Sequence, residues 1–282
     1  MLDSISFIGG GIMGEAMVQG LLSKRLLNGK SITVAEPREE RRKELEEKHR
    51  INVTANNSDA AQASKIVVLS VKPQDLDTVL AGLKGALKPE QMVMSIVAGA
   101  RISAISRGLG HNAIVRIMPN TPAQIGEGIS VWTATPNVTG DQLKQARTVL
   151  QALGKEIYMN DERFLDMATA VSGTGPTYVF LVMEAMIDAA VHLGFPRHVA
   201  YELVTETMRG SIMYALKSGK HPAELRNMVT SPGGTSAAAL YQLEKGSLRT
   251  VLSKAIWAAY ERSKSLGEGK SPSVEKNNDA GA

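Results

Sequence analysis

The feature that most constrains this chain is a glycine cluster, Gly9-Gly10-Gly11-Ile12-Met13-Gly14. It directly follows the apolar run Ile5–Ile8 and opens an amphipathic stretch over residues 13–27. Strand, tight turn and helix in that order place unpaired helix amides, and the positive end of the helix dipole, where a phosphate can reach them. The spacing is G-x-G-x-x-G. Gly9 permits the tight turn, Gly11 lets the backbone approach a pyrophosphate, and Gly14 allows close packing of helix on strand. A lone glycine pattern is a weak signal. Its position at the start of a βαβ unit makes it a dinucleotide-site prediction, with Gly9, Gly11, Ile12, Met13 and Gly14 as cofactor contacts.

The alternation continues downstream. Strands are expected at 32–35, 66–71, 92–97, 114–117 and 129–133, and helices at 39–48, 75–87 and 140–153, with 156–159 as an edge strand. Alternating elements of this length predict an α/β fold, a Rossmann-type doubly wound and mostly parallel sheet with helices on both faces. Near Asp161 the texture changes to helical patterns only, at 164–170, 176–193, 197–217, 222–229, 236–245 and 247–266. Turn residues separate them, as in Ser172-Gly173-Thr174-Gly175-Pro176 and Ser231-Pro232-Gly233-Gly234. The expected organisation is a dinucleotide-binding domain over 1–160, an all-helical domain over 161–268 and a polar, disordered tail over 269–282.

Composition sharpens this reading. A chain of 282 residues can form two domains, each with its own core. Aromatics are only 4%, which favours α/β and helical packing built on Ala, Val, Ile, Leu and Met. Met183, Met186, Met208 and Met213 are accordingly read as core filler. The formal charge of +4 is dispersed, as in Arg38-Glu39-Glu40-Arg41-Arg42-Lys43-Glu44, which reads as a solvated helix face. Such an excess suits steering of anionic metabolites, and no nucleic-acid partner is expected. The absence of cysteine excludes disulfides, thiolate catalysis and cysteine-based zinc sites, and no metal is expected. With no signal peptide and no apolar run of membrane-spanning length, the chain is expected to be cytoplasmic, without a membrane partner.

Glu36, at the end of the second strand, stands where an acidic residue bonds the adenosine ribose, which favours NADH. Arg38, Arg41 and Arg42 follow closely and could instead hold a 2′-phosphate, so NADH and NADPH both stay open.

Further segments carry a resemblance: Val71-Lys72-Pro73-Gln74, Met118-Pro119-Asn120-Thr121-Pro122, Ser172 to Pro176, and His221 to Ser236 with its Ser231-Pro232-Gly233-Gly234-Thr235 core. In order and spacing they resemble the pyrroline-5-carboxylate reductases, over residues 3–266. The resemblance implies hydride transfer from NAD(P)H to the C=N bond of 1-pyrroline-5-carboxylate, giving L-proline in the last step of proline biosynthesis. It implies that Ser70, Val71, Lys72 and Pro73 line the cofactor near its ribose and nicotinamide, with Asn57 on the adenosine side. It places Val97 and Ala98 beside the nicotinamide, and Gly234, Thr235 and Ser236 on the substrate carboxylate. It further implies an intertwined homodimer that in many members assembles to a decamer. This chain departs from the family pattern at Ser236, usually Thr, and at Glu36, where many members carry a small neutral residue.

The residues themselves agree. Ser231 to Gly234 form a turn feeding a helix whose amides and hydroxyls suit a small carboxylate, although Thr235 or Ser236 could also act simply as an N-cap. Imine reduction needs no strong enzymatic acid, and Ser236 is the candidate group for polarising or protonating the nitrogen. His221-Pro222 reads as a helix start, and Lys72 as a cofactor contact rather than a catalytic lysine. The rival within the class is a β-hydroxyacid-type dehydrogenase, which uses a lysine one turn into the helix after a Ser-Gly-x-Gly segment. Here that stretch is Pro176-Thr177-Tyr178-Val179-Phe180-Leu181, without lysine. A rival of another class is a non-catalytic dinucleotide sensor on the same fold. A sensor would have no need of the second anion site.

Overall fold

The computed structural model describes residues 2–267; the tail expected over 269–282 lies outside the described residues. The strands are β1 (Ile5–Ile8), β2 (Ile32–Ala35), β3 (Asn52–Thr54), β4 (Ile66–Leu69), β5 (Met92–Ser95), β6 (Ile114–Met118), β7 (Gly128–Ala134) and β8 (Gly154–Tyr158). Between them run α1 (Ile12–Ser23), α2 (Glu39–His49), α3 (Asn57–Gln62), α4 (Leu76–Leu83), α5 (Ile102–Leu109) and α6 (Gly140–Gln151). Six helices follow: α7 (Arg163–Ala168), α8 (Gly175–His192), α9 (Arg197–Ser218), α10 (Pro222–Met228), α11 (Thr235–Lys245) and α12 (Leu248–Gly267).

The strands form one sheet in the order β3-β2-β1-β4-β5-β6-β7-β8. Strands β1 to β6 are parallel, β7 runs antiparallel to β6, and β8 lies parallel to β7 at the edge. This is the doubly wound sheet expected, with its switch point between β1 and β4, where loops at the strand carboxyl ends open a crevice. Side chains alternate between the two faces. Ile5, Phe7, Val68, Met94 and Val115 pack with α1 and α6 on one side. Ile8, Val67, Leu69, Val93 and Ile114 pack with α3, α4 and α5 on the other. Strands buried on both faces favour apolar residues, and the fully buried β1 and β4 are apolar except at Ser6. Each fully buried Ile, Leu or Phe contributes roughly 1.5–3 kcal/mol.

The short β3, α3 and α5 were not expected, whereas the edge strand β8 was. The expected break at Ser172 to Pro176 falls at a bend at Thr174, between a π-helical turn over Thr169–Gly173 and the start of α8 at Gly175, within a 30-residue helical stretch from Arg163 to His192. Pro176 supplies no amide. Around it, the amide and hydroxyl of Thr174 both donate to the Thr169 carbonyl at 2.8 Å, and Ser172 Oγ donates to the Ala168 carbonyl at 3.0 Å. By length and composition this helix could cross a membrane, which corrects the expectation that no segment reaches that length.

The chain divides into two compact units, one of residues up to Thr174 together with the chain from Ala259, the other Gly175–Ala258. The second is entirely helical, and its buried core consists of Ile187, Ala200 and Val204. Met183 and Met208 pack against that core, whereas Met186 and Met213 are exposed. The expectation of a full core in each half therefore does not hold for the single chain. Phe180, Leu181, Leu216, Val251 and Trp257 are all more than half exposed.

Candidate active site

Gly9 closes the turn after β1 with φ +108°, and its amide donates to the Ala35 carbonyl at 2.9 Å. A Cβ on Gly9 would lie 2.8 Å from the Ser70 carbonyl oxygen, and one on Gly14 would lie 2.7 Å from the Gly9 carbonyl oxygen. Both glycines are demanded by packing of the chain on itself. Gly11 is different. Its φ is −72°, and a Cβ there would meet nothing within 4 Å. No internal contact requires glycine at this position, but a pyrophosphate seated on the start of α1 would. Gly11 is the N-cap of α1 and no side chain caps that end, so the first-turn amides, those of Ile12 and Met13 among them, can receive phosphate oxygens. These residues fit a dinucleotide.

Gly10, between them, points inward. Its amide donates to Glu36 Oε2 at 3.2 Å, and its carbonyl accepts from Arg41 Nε at 2.9 Å. Glu36 is buried, and its other oxygen accepts from the Arg38 amide at 3.2 Å and Arg38 Nε at 2.8 Å. Burial pushes the Glu36 carboxyl up, but these hydrogen bonds outweigh it and hold the group below its ordinary value. Three donors leave one lone-pair position for a ribose hydroxyl. Arg41 also reaches Glu15 and Glu44, and Arg42 donates to the carbonyls of Glu36 and Pro37. All three arginines near the ribose end are thus engaged within the protein.

Glu15, in the first turn of α1, accepts from Arg41, Lys48 and His49. Burial raises its pKa, but hydrogen bonds from Lys48, His49 and Arg41 bring it down to about 2. Sequence spacing gave no sign of the parts played by Gly10, Arg41 and Glu15. Their partners lie 26 or more residues away.

The other expected cofactor residues lie at carboxyl ends of strands. Ser70 follows β4, and its hydroxyl donates to the Gly9 carbonyl at 2.8 Å, fixing the glycine turn from the far side. Val71 is half-buried beside it, and Lys72 is exposed, leading into a short 3-10 turn that begins at Pro73. Asn57 opens α3, where Asn56, not Asn57, caps the helix through the amides of Ser58 and Asp59. Val97 is buried and Ala98 half-buried in the loop after β5.

The expected carboxylate cradle belongs to the helical unit. Gly233 has φ +71°, and the Gly234 amide closes the turn onto the Ser231 carbonyl at 3.1 Å. A Cβ on Gly234 would lie 2.6 Å from Ser231 Oγ, so a larger residue there would force the Ser231 hydroxyl to turn away. Gly234 is itself the N-cap of α11, without a side-chain cap. The hydroxyls of Thr235 and Ser236 therefore do not cap the helix, and the alternative of simple N-capping by them falls. His221 is structural: its Nδ1 accepts the Ala223 amide at 3.2 Å, and Pro222 is the first helical residue of α10.

Comparison with known proteins agrees with this geometry. Residues 162–266 match the family model for pyrroline-5-carboxylate reductase dimerisation, and residues 4–99 match that for NADP oxidoreductase, coenzyme F420-dependent. The pyrroline-5-carboxylate reductase of Synechocystis sp. is 39% identical over 268 residues, covering 95% of this chain and 100% of that protein. That of Pseudomonas aeruginosa is also 39% identical, over 94% of this chain and 97% of its own length. Among solved structures, the NADP-bound pyrroline carboxylate reductase of Plasmodium falciparum superposes with a TM-score of 0.88 at 31% identity, covering 95% of this chain and all of that one. The Coxiella burnetii pyrroline-5-carboxylate reductase does so at 0.86 and 35%, over 94% and 99% of the two chains. A prephenate dehydrogenase from Aquifex aeolicus, at 15% identity and a TM-score of 0.52, shares the fold alone. Likeness at this level along nearly the whole length makes this chain a member of the pyrroline-5-carboxylate reductase family.

Proposed function

We propose that this protein reduces 1-pyrroline-5-carboxylate to L-proline with NAD(P)H, the last step of proline biosynthesis. The observation that carries the reading is the Ser231–Ser236 turn: it presents a helix start, uncapped by its own hydroxyls, in a chain matched over 95% of its length by a reductase of this activity.

Bound reduced nicotinamide supplies the hydride that reaches the C=N carbon, while the ring nitrogen takes up a proton. The protein's own residues orient and hold. The glycine turn and the α1 amides fix the pyrophosphate, with Ser70 to Pro73 and Asn57 along the ribose and adenosine. Val97 and Ala98 form the wall beside the nicotinamide. Gly234, Thr235 and Ser236 hold the substrate carboxylate, which decides which atom and face of the imine meet the cofactor. Ser236 Oγ polarises or protonates the imine nitrogen.

NADH is the preferred cofactor in this reading. Glu36 lies buried at the ribose end, and Arg38, Arg41 and Arg42 are already bound to Glu36, Glu15, Glu44 and backbone carbonyls. The exposed apolar side chains of the helical unit meet a second copy, and dimers associate further to a decamer. A biosynthetic reductase works where its reduced cofactor is regenerated, which supports a cytoplasmic location.

The test is initial rates of NADH and NADPH oxidation with pyrroline-5-carboxylate, on wild type and on Ser236→Ala. Turnover establishes the activity. Folded protein that binds dinucleotide yet turns over neither cofactor overturns it, and unchanged kcat in Ser236→Ala removes the role of that hydroxyl.

A further inference from the structure

The loop after β5, Ile96-Val97-Ala98-Gly99, is held from two sides by residues distant in sequence. Gly99 has φ +74°, and a Cβ on it would lie 2.8 Å from Leu266 Cβ and 3.3 Å from the Gly267 amide nitrogen. In return, a Cβ on Gly267 would lie 2.9 Å from the Gly99 carbonyl oxygen. The last turn of α12 and the loop thus meet backbone to backbone. Three residues after Gly99, α5 begins at Ile102, whose amide donates to Glu162 Oε1 at 2.7 Å. The same oxygen accepts from Arg116 Nη1 at 2.8 Å. Arg116 Nη2 donates to Asp166 Oδ1 at 3.1 Å, and that oxygen accepts from Ser263 Oγ, also at 3.1 Å.

Arg116, Asp166 and Ser263 are 3%, 8% and 2% exposed, so the guanidinium is buried with two of its partners, while the Glu162 side chain is 30% exposed. Arg116 lies in β6 directly across from Ser95, the last residue of β5. A buried ion pair adds little net stability over apolar packing, because desolvation offsets the attraction. What such a cluster supplies is a fixed arrangement, since each member satisfies the others in one geometry only. Here the arrangement joins β6, the start of α5, α7 and the end of α12, all within one compact unit.

Its position has a consequence for the cofactor. The pyrophosphate seat at α1 and the ribose end at Glu36 direct the adenosine half toward β2. The nicotinamide half then extends the other way across the switch point, over the ends of β4 and β5. We infer that the Arg116–Glu162–Asp166–Ser263 cluster and the end of α12 are positioning elements for the nicotinamide half of the cofactor, setting the 96–99 loop against which it lies. None of these side chains is a catalytic residue. The inference rests on the dinucleotide reading above, but not on the substrate.

The test compares two ligands that differ only by the nicotinamide. Dissociation constants for NADH and ADP-ribose are measured on the full-length wild type, Glu162→Ala, Glu162→Gln and Ser263→Ala, with the Tm of each. NADPH and 2′-phospho-ADP-ribose replace them if NADPH binds tighter. Loss of one hydrogen bond from the cluster should weaken NADH about fivefold, with ADP-ribose changed by no more than about twofold. Glu162→Gln should restore most of the NADH affinity, because its amide oxygen can still accept the Ile102 amide. Parallel weakening of both ligands, or no change in either, overturns the inference. If Glu162→Ala does not fold, Ser263→Ala, which removes one uncharged hydroxyl, carries the same comparison. The ratio is read without substrate, so it stands apart from failure of the reductase reading, which would show as binding without turnover.

Discussion

The Gly10 amide donates to Glu36 Oε2 at 3.2 Å, tying the middle of the glycine turn to the end of β2. With Arg41 Nε on the Gly10 carbonyl at 2.9 Å, the peptide flanking the phosphate seat is fixed at both poles. The carboxylate proposed to bond the ribose is therefore also tied to the glycine turn. Glu36→Gln should separate the two roles. The amide oxygen can still accept from Gly10, while the negative charge is gone and Arg38 is released. One charge at a few ångströms from a ligand phosphate that is open to solvent is worth about 1–2 kcal/mol. The ratio of kcat/KM for NADPH over NADH should therefore rise on the order of 10-fold. An unchanged ratio would mean that Glu36 acts on the turn alone.

The glycines of the fingerprint should separate under substitution. Gly9→Ala forces a Cβ to 2.8 Å from the Ser70 carbonyl oxygen at φ +108°, and should destabilise the protein by about 2 kcal/mol or more. Gly11→Ala meets nothing and keeps an ordinary φ, so its Tm should match or slightly exceed wild type. Its dinucleotide affinity should nevertheless fall at least about 10-fold, because the methyl group occupies the path of the pyrophosphate. Calorimetry with and without NADH reads both effects. Wild-type affinity in Gly11→Ala would refute the placement of the phosphates.

Glu15 predicts an acid limb to stability. Its carboxyl ionises at about 2 in the folded protein against an ordinary value of 4.5. Its stabilising contribution is therefore complete above pH 4.5 and lost as pH falls toward 2. Glu15 and Arg41 are 15% and His49 6% exposed, so these contacts are lightly screened, while Lys48, 56% exposed, adds little, and the total is on the order of 2 kcal/mol. Urea unfolding from pH 6 to pH 2.5 should show that loss in wild type and a flatter limb in Glu15→Gln. Equal slopes would show that other carboxylates govern the acid limb.

How much of this was legible in sequence follows the range of the interactions. The strands β1 and β2 were read to the residue because each is a short, mainly apolar run, broken only by Ser6 or Thr33, with turn signals at its ends. Gly9, Gly11 and Gly14 were legible because each answers a demand of the local turn or of a ligand. The elements β3 and α3, three and six residues long, are too short and polar for a period to show, whereas α5 carries Ile102, Ile105 and Leu109 at helical spacing and was legible. At Ser172 to Pro176 glycine and proline signalled a break, which is confined to a bend at Thr174, while the π turn before it was not legible. The Glu36–Gly10 bond and the Arg116 cluster join residues 26 to 97 positions apart, and no local spacing encodes them.

The helical unit predicts behaviour that depends on protein concentration. A segment of 84 residues with a core of Ile187, Ala200 and Val204 buries too little apolar surface to offset its ordering entropy. Meanwhile Leu181, Leu216 and Val251 expose 64%, 64% and 57% of their surface within the chain. Residues 162–266 match a dimerisation domain, so these side chains should find their burial in a second copy. Folding and association are then one equilibrium, and the apparent Tm should rise with concentration by mass action. Burying one leucine contributes roughly 1.5–3 kcal/mol, and a dimer places two copies of each. Leu181→Asp should therefore shift sedimentation toward monomer and lower the Tm of the helical half first. A monomer of undiminished stability at micromolar concentration would show that the single chain is sufficient.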